Sequence, residues 1–293
     1  MKSKRLIAIL IVFGFITLLV VLSSTVFTLQ SISLNWLTTR SMLADETIDT
    51  FSNNIKFPLG ESVFFLKKSK IVEDLEKEYP YLQVLNIETK FPNSAVIHVA
   101  ERKQLYAIKL NNSNYIVLDK GLKILNYITD DELNDISEGS RPAIVRINKN
   151  DLTISQIEDN KIKIETTRSG VIIQEDFFGI GDFLKIEDVD TCLKSLTKSL
   201  LEAGYKDQSI RGFISEIDIN SAINKTSLDI KTRCGIKIDI KDCMAEGELT
   251  PKLVCGVSAY EKLRMEPYFA TAGTISVFKS LVDNKIYAVH SYD

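Results

Sequence analysis

Histidine is almost absent from this chain: His98 and His290 are the only two in 293 residues. Neither has a second ligand at a spacing that builds a metal site. His98 alternates within a strand-like stretch, where a half-buried strand residue is the ordinary outcome. Cysteine is scarce too, with Cys192, Cys234, Cys243 and Cys255 all in the last third. Their spacing forms no C-x-x-C zinc or redox pattern. Cys234 and Cys243 flank one strand-like stretch, Ile236–Ile240, and so do not bond across it. Cys192 and Cys255 fall on two helix-like stretches and could pair if those helices pack; burial as small apolar residues is the plain alternative. A Cys–His nucleophile pair would meet in space rather than in sequence, and no local signature marks one. Glycine-rich phosphate loops are missing. Phe177-Phe178-Gly179-Ile180-Gly181 lacks the third glycine and a helix start, and reads as a turn. The carboxylate pairs Asp130-Asp131 and Glu175-Asp176 read as solvated loops. No cofactor and no metal site is therefore expected.

Charge is missing altogether between Arg5 and Arg40. Inside that gap Leu6–Leu22 is apolar throughout, with only Gly14 and Thr17 as soft spots. Continued through Phe27, the run reaches the roughly 20 residues a helix needs to cross a bilayer core of about 30 Å. Lys2, Lys4 and Arg5 stand in front of it, which puts the amino terminus in the cytoplasm and the remainder outside. A cleaved signal peptide is the competing reading, but its apolar region is about 7–15 residues and ends at a small-residue site. Here the run is longer and the only such site is weak, around Ser23–Thr25. The expectation is a tail at 1–5, a single membrane span at 6–27 and an exported remainder.

A basic surplus is also lacking. All 39 acids and 33 of the 36 basic residues lie beyond the run, so the exported part carries a net charge of −6. That argues against nucleic acid and against a polybasic membrane patch. There is no low-complexity segment and no Pro- or Gly-rich linker. The exported length has room for about two domains.

What is present is an ordered series of elements. Val26–Trp36 alternates like a strand. Ser41–Ile55 carries Ala44, Ile48, Phe51 and Ile55 at helical spacing. Phe57-Pro58-Leu59-Gly60 breaks the chain. Ser69–Tyr79 is a second helix, with Ile71, Val72, Leu75 and Tyr79 on one stripe, Ser69 as its cap and Pro80 as its stop. The strands Leu82–Phe91 and Ala95–Arg102 follow, joined at Pro92-Asn93-Ser94. The order strand, helix, helix, strand, strand suits one three-stranded sheet with both helices on one face.

This series resembles the POTRA domain of the bacterial cell-division family FtsQ, called DivIB in Gram-positive organisms. The residues that carry the resemblance are Pro80-Tyr81-Leu82, Leu85, Ile87, Phe91-Pro92, Ile97-His98-Val99 and Glu101-Arg102. Gly60 with Val63-Phe64-Phe65-Leu66 matches the loop between the two helices. Next come Tyr106-Ala107-Ile108 and the turn Ile116-Val117-Leu118-Asp119, with Gly121 one residue early for the family's Asp-x-x-Gly. The resemblance covers about residues 1–128 well.

Beyond it, the pattern gives strands at Arg141–Asn148 and two short strands in Lys161–Ile173. A helix follows at Val189–Tyr205, then strands at Phe213–Asn220, Ser227–Thr232 and Ile236–Ile240. A helix from Thr250-Pro251 to about Met265 precedes a last hairpin, Ile275–Val282 and Lys285–Tyr292. The family's second domain has this layout, with Lys252-Leu253 where its Lys-Leu pair stands; Leu152–Ile186 is longer than expected there. The fold expected is α+β: a POTRA domain over 28–102 and a β-rich domain with two helices over 103–293.

With chemistry unsupported, binding remains. The terminal strand has no later strand to cover it, and an open edge presents unpaired N–H and C=O groups to another chain. Ile275, Val277, Ile286, Tyr287 and Val289 are the candidate partner-contact residues. Proline at Tyr287 or Val289 should remove an edge donor without unfolding the protein. The resemblance implies a non-enzymatic scaffold of the septal division machinery that binds FtsB/DivIC- and FtsL-like membrane proteins from a single-pass anchor. Another membrane-tethered POTRA docking module is the second reading. An envelope enzyme using a cysteine or carboxylates is the third.

Overall fold

The computed structural model describes residues 2–38, 59–110, 114–149, 152–157, 161–168, 171–222, 225–243, 247–266 and 271–292. The chain divides into two compact units, Met1–Arg102 and Lys103–Asp293.

In the first unit, helix α1 spans Lys2–Thr25, 24 residues. Its large side chains between Leu10 and Val21 are exposed, Phe13 at 68% and Ile11 at 67%. Among the described residues no helix is long and apolar enough to cross a membrane. The span expected at 6–27 is therefore not shown by the fold.

Strand β1 (Ser31–Trp36) pairs in parallel with β3 (Ser94–Glu101), and β3 pairs antiparallel with β2 (Leu82–Lys90), giving the order β1-β3-β2. Helix α2 (Lys68–Glu78) lays Ile71 and Leu75 against Leu82, Ile87, Ile97 and Val99, all buried. Trp36 packs at the margin of this core. The helix starts one residue before the expected cap: Lys67 is the N-cap position and makes no side-chain capping bond, so Ser69 lies inside the first turn. The helix expected at Ser41–Ile55 lies outside the described residues.

In the second unit a nine-stranded mixed sheet runs in the order β15-β14-β13-β12-β11-β7-β4-β5-β6. Its strands are β4 (Tyr106–Lys109), β5 (Asn114–Leu118), β6 (Ile124–Thr129), β7 (Ala143–Lys149), β11 (Ile214–Ala222), β12 (Lys225–Thr232), β13 (Lys237–Ile240), β14 (Thr274–Lys279) and β15 (Ile286–Ser291). Between β7 and β11 stands a separate three-stranded sheet, β8 (Leu152–Ile157), β9 (Lys161–Arg168) and β10 (Val171–Phe178), ordered β10-β9-β8. This sheet accounts for the long segment 152–186. Two short strands were expected there; the pairing instead adds β8 and extends β10 to Phe178.

Helix α3 (Asp130–Asp135) begins with a reciprocal capping box between Thr129 and Glu132. Helix α4 (Glu187–Glu202) buries Val189, Leu193, Leu196 and Leu200. Helix α5 (Asp207–Phe213) leads into β11. Helix α6 (Leu249–Arg264) connects the parallel pair β13 and β14, as a parallel crossover requires.

Two carboxylate pairs are not in loops. Asp130 and Asp131 form the first turn of α3, and Asp130 accepts a bond from the Tyr115 hydroxyl at 2.6 Å. Glu175 lies in β10 and pairs with Lys163 at 2.8 Å. The reason is local: an acidic residue is favoured at a helix N-terminus, and cross-strand opposite charges suit a sheet.

The turn after β5 is closed by Asp119, whose Oδ1 accepts from the N–H groups of Gly121 and Lys123, both at 2.8 Å. The positive φ falls on Leu122, at 67°. That is the position of the glycine in the family's Asp-x-x-Gly pattern.

Candidate partner-binding edge

Strand β15 ends the nine-stranded sheet and, among the described residues, pairs only with β14. Its register is Thr274↔Ser291, Ile275↔His290, Ser276↔Val289, Val277↔Ala288, Phe278↔Tyr287 and Lys279↔Ile286. The Ser280 N–H donates to Lys285 O at 2.8 Å at the turn. In an antiparallel pair, bonded and non-bonded pairs alternate. Counting from that bond, Tyr287 and Val289 direct their N–H groups to β14, whereas Ile286, Ala288 and His290 direct theirs outward. This corrects the sequence reading: proline at Tyr287 or Val289 would break the ladder inside the protein, and Ala288 is the position where only an outward donor is lost.

The side chains divide the same way. Tyr287 and Val289 are 42% and 51% exposed, and Phe278, Leu281, Val282 and Tyr292 are exposed beside them. The Phe278 and Tyr287 rings lie 6.3 Å apart. Tyr287 hydroxyl bonds Asp283 across the turn. That bond holds the Asp283 carboxyl below its ordinary range and pushes the Tyr287 phenol up. Ile286 is half-buried. Ile275 and Val277 are fully buried, so their face of β14 lies against the core, and these two do not reach a partner.

Helix α6 supports the edge from beneath. A Cβ on Gly256 would fall 2.9 Å from Ile238 Cγ2 and 3.0 Å from Val277 Cγ2, so the helix lies close to β13 and β14 because that residue has no side chain. Lys252 is 2% exposed. Its Nζ donates to Lys241 O (2.9 Å) and Asp242 O (3.0 Å), and pairs with Glu248 Oε2 (2.9 Å). Glu248 Oε1 in turn receives Lys279 of β14 at 2.6 Å. Hydrogen bonds from Lys279 and Lys252 hold the Glu248 carboxyl below its ordinary range. Lys252 was recognised in sequence only by its place beside Leu253; its role in closing the end of β13 was not legible there.

The remaining chemistry-bearing residues do not converge. All four cysteines are free thiols. Cys192 is fully buried on α4, and Cys255 sits on α6 at the rim of the same core; the two helices pack together, but no bond joins these sulfurs. Cys234 opens on a cleft of about 550 Å³ whose lining includes Tyr205, Phe213, Arg233, Tyr260 and Arg264. Burial raises its thiol pKa, but hydrogen bonds with Thr232 and Tyr260, at 2.9 and 3.3 Å, outweigh this and the net shift is downward. No histidine or carboxylate is among the residues lining this cleft. His98 is on β3 with Glu88 at 3.3 Å, and His290 is on β15. Among the described residues no group of three His, Cys, Asp or Glu side chains is arranged to hold a metal ion.

The class defined by these observations is an α+β protein of two units with an open, apolar-faced strand edge at β15. No protein-family model matches the chain. A cell division protein DivIB of Clostridium botulinum is 26% identical to it, with 72% of this chain and 91% of that protein covered. A DivIB of Clostridium acetobutylicum is 31% identical over 72 residues, 25% of this chain and 28% of that protein. These similarities support the resemblance to the FtsQ/DivIB family drawn from the ordered residues.

Proposed function

We propose that this chain is a non-enzymatic scaffold of the bacterial division septum. It is tethered by residues 6–27, with residues 28–102 of the first unit as a POTRA domain and 103–293 as the extracytoplasmic partner-binding domain. The observation that carries the reading is similarity to a cell division protein over 91% of that relative's length. The tether is supported by the unbroken apolar run Leu6–Leu22 within a 24-residue helix. The sequence stays free of charge from there to Arg40, and continued through Phe27 the run has the roughly 20 residues that crossing the hydrocarbon core takes. The positive-inside rule then gives a cytoplasmic amino terminus and a single-pass topology.

The partners are membrane division proteins of the FtsB/DivIC and FtsL kind, and one of them adds a strand to β15. Support comes from the open edge and from the exposed apolar face formed by Phe278, Tyr287 and Val289 beside it. Main-chain bonds supply affinity in this mode and alternate side chains supply selectivity.

Affinity purification of the tagged full chain from membranes, with mass spectrometry, tests the reading. Division subunits in the eluate and midcell localisation support it. An export or envelope-assembly partner in their place overturns it in favour of another tethered docking module. Ala288→Pro tests the edge. It should weaken partner capture while leaving thermal unfolding nearly unchanged; unchanged capture refutes strand addition at β15.

A further inference from the structure

The short 3-10 turn Val63–Phe65 is bolted to the chain as it leaves α1. Val63 N–H donates to Phe27 O (2.8 Å), Leu29 N–H to Glu61 O (2.8 Å) and Gly60 N–H to Leu29 O (2.9 Å). Val63 packs inward with Leu29 and Ala95. That inward turn leaves the next two residues facing out: Phe64 is 55% and Phe65 is 76% exposed. Phe27, Phe64 and Phe91 form one aromatic cluster, with ring centroids 5.1 Å apart for Phe27–Phe64 and 5.2 Å for Phe64–Phe91. Leu59 and Phe91 are also largely exposed. Burying one such side chain is worth about 1.5–3 kcal/mol. Phe64 and Phe91 in ring contact, with Phe65 next to Phe64 in the chain and Leu59 preceding the Gly60 that bonds Leu29, all exposed, mark a surface with an occupant.

Position identifies the occupant. Phe27 stands two residues beyond Thr25, the last residue of α1, a reach of at most about 7 Å. The ring contacts keep the rest of the cluster close to that exit point. The interfacial zone on each side of a bilayer core is itself about 5–8 Å deep. Lys67 and Lys90, both exposed, flank the cluster in the chain beside Phe65 and Phe91, and basic residues at this depth pair with anionic headgroups.

We infer that Leu59, Phe64, Phe65 and Phe91 insert into the headgroup–acyl boundary of the bilayer that α1 crosses, with Lys67 and Lys90 at lipid phosphates. The inference rests on the tether proposed above. Its consequence is that the first unit is held against the membrane by a second attachment and does not swing freely on α1.

The test uses the full chain in vesicles of phosphatidylcholine and phosphatidylglycerol, with or without brominated acyl chains. Trp36 is the only tryptophan, so Trp36→Phe gives a dark background for Phe65→Trp. Leu85→Trp is the control. Leu85 is exposed on β2, five residues up the strand from Lys90, about 17 Å away. The indole from Phe65→Trp should be blue-shifted and strongly quenched by brominated lipid, and that from Leu85→Trp much less. If the protein floats with the vesicles but the Phe65→Trp signal is not quenched, the second attachment is refuted and the tether stands. A blue shift without quenching means that protein, a second copy or a division subunit, covers the patch, and also refutes it. Failure to float with the vesicles overturns the tether and this inference together.

Discussion

Arg102 at the end of β3 donates from Nη2 to Glu76 Oε2 on α2 at 2.6 Å, with the two side chains only 8% and 12% exposed. The same Glu76 accepts the Val84 N–H through Oε1 at 2.9 Å, and Arg102 Nε donates to Leu82 O at 3.1 Å. One carboxylate therefore ties α2 to both strands at the open end of the β2–β3 pairing. The pair was visible in sequence only as a Glu101-Arg102 match; its partner twenty-six residues upstream was not.

Removing one member of a buried pair costs about 3–5 kcal/mol, because the other charge stays buried. Glu76→Ala should destabilise the first unit by that order, and Glu76→Gln by less, since an amide oxygen still accepts from Val84. Trp36 reports this unit alone, so urea unfolding followed by its fluorescence reads the difference. An unshifted midpoint for Glu76→Ala refutes the assignment.

Glu248 adds to the acid sensitivity of the second unit. Lys279 and Lys252 hold the folded Glu248 carboxyl below its ordinary 4.5. A depressed folded value means that its contribution is present above about pH 4.5 and is lost as pH falls through the lower folded value. Glu248→Gln should flatten that acid limb of thermal stability while changing the neutral region little. Lys252→Ala removes the donor to two part-buried carbonyls and opens a cavity, for a loss of about 2–4 kcal/mol at neutral pH. Circular dichroism melts from pH 3 to 7 check both.

At Leu122 two effects oppose each other. Its positive φ costs a non-glycine residue about 1–2 kcal/mol, so glycine would relax the backbone. Its side chain is fully buried, and losing a buried leucine costs about 2–5 kcal/mol. Burial wins, and Leu122→Gly should lower the unfolding temperature although the family pattern favours glycine. A raised temperature would show that backbone strain dominates.

Cysteine reactivity should be uneven. Thiolate is the reacting form. Cys234 has a lowered thiol and partial exposure, Cys192 and Cys243 are fully buried, and burial pushes Cys255 up. Under native conditions iodoacetamide should label Cys234 first, and Cys234→Ser should remove the fast phase. Peptide mapping by mass spectrometry reads this; early label on Cys255 contradicts it.

Local pattern by itself determined the elements: the apolar run that becomes α1, the stripe of Ile71 and Leu75, the alternation of Ile97 and Val99, and a last hairpin at the end of the chain. These follow from the helical and strand periods, which a side chain's neighbours in sequence dictate. The order of those elements also fixed the family resemblance. Tertiary structure decided what period alone leaves open. It put Ile275 and Val277 inside and Tyr287 and Val289 outside, because a hairpin's register and the face covered by α6 depend on strands far away. It chose which N–H groups of β15 point outward, since that parity is set by one bond at the Ser280–Lys285 turn. It converted Glu175 from an apparent loop residue into the middle of β10, because Lys163 reaches it diagonally across the ladder only once β9 and β10 pair. Charge partners and edge status depend on neighbours distant in sequence, and only the folded chain brings those neighbours together.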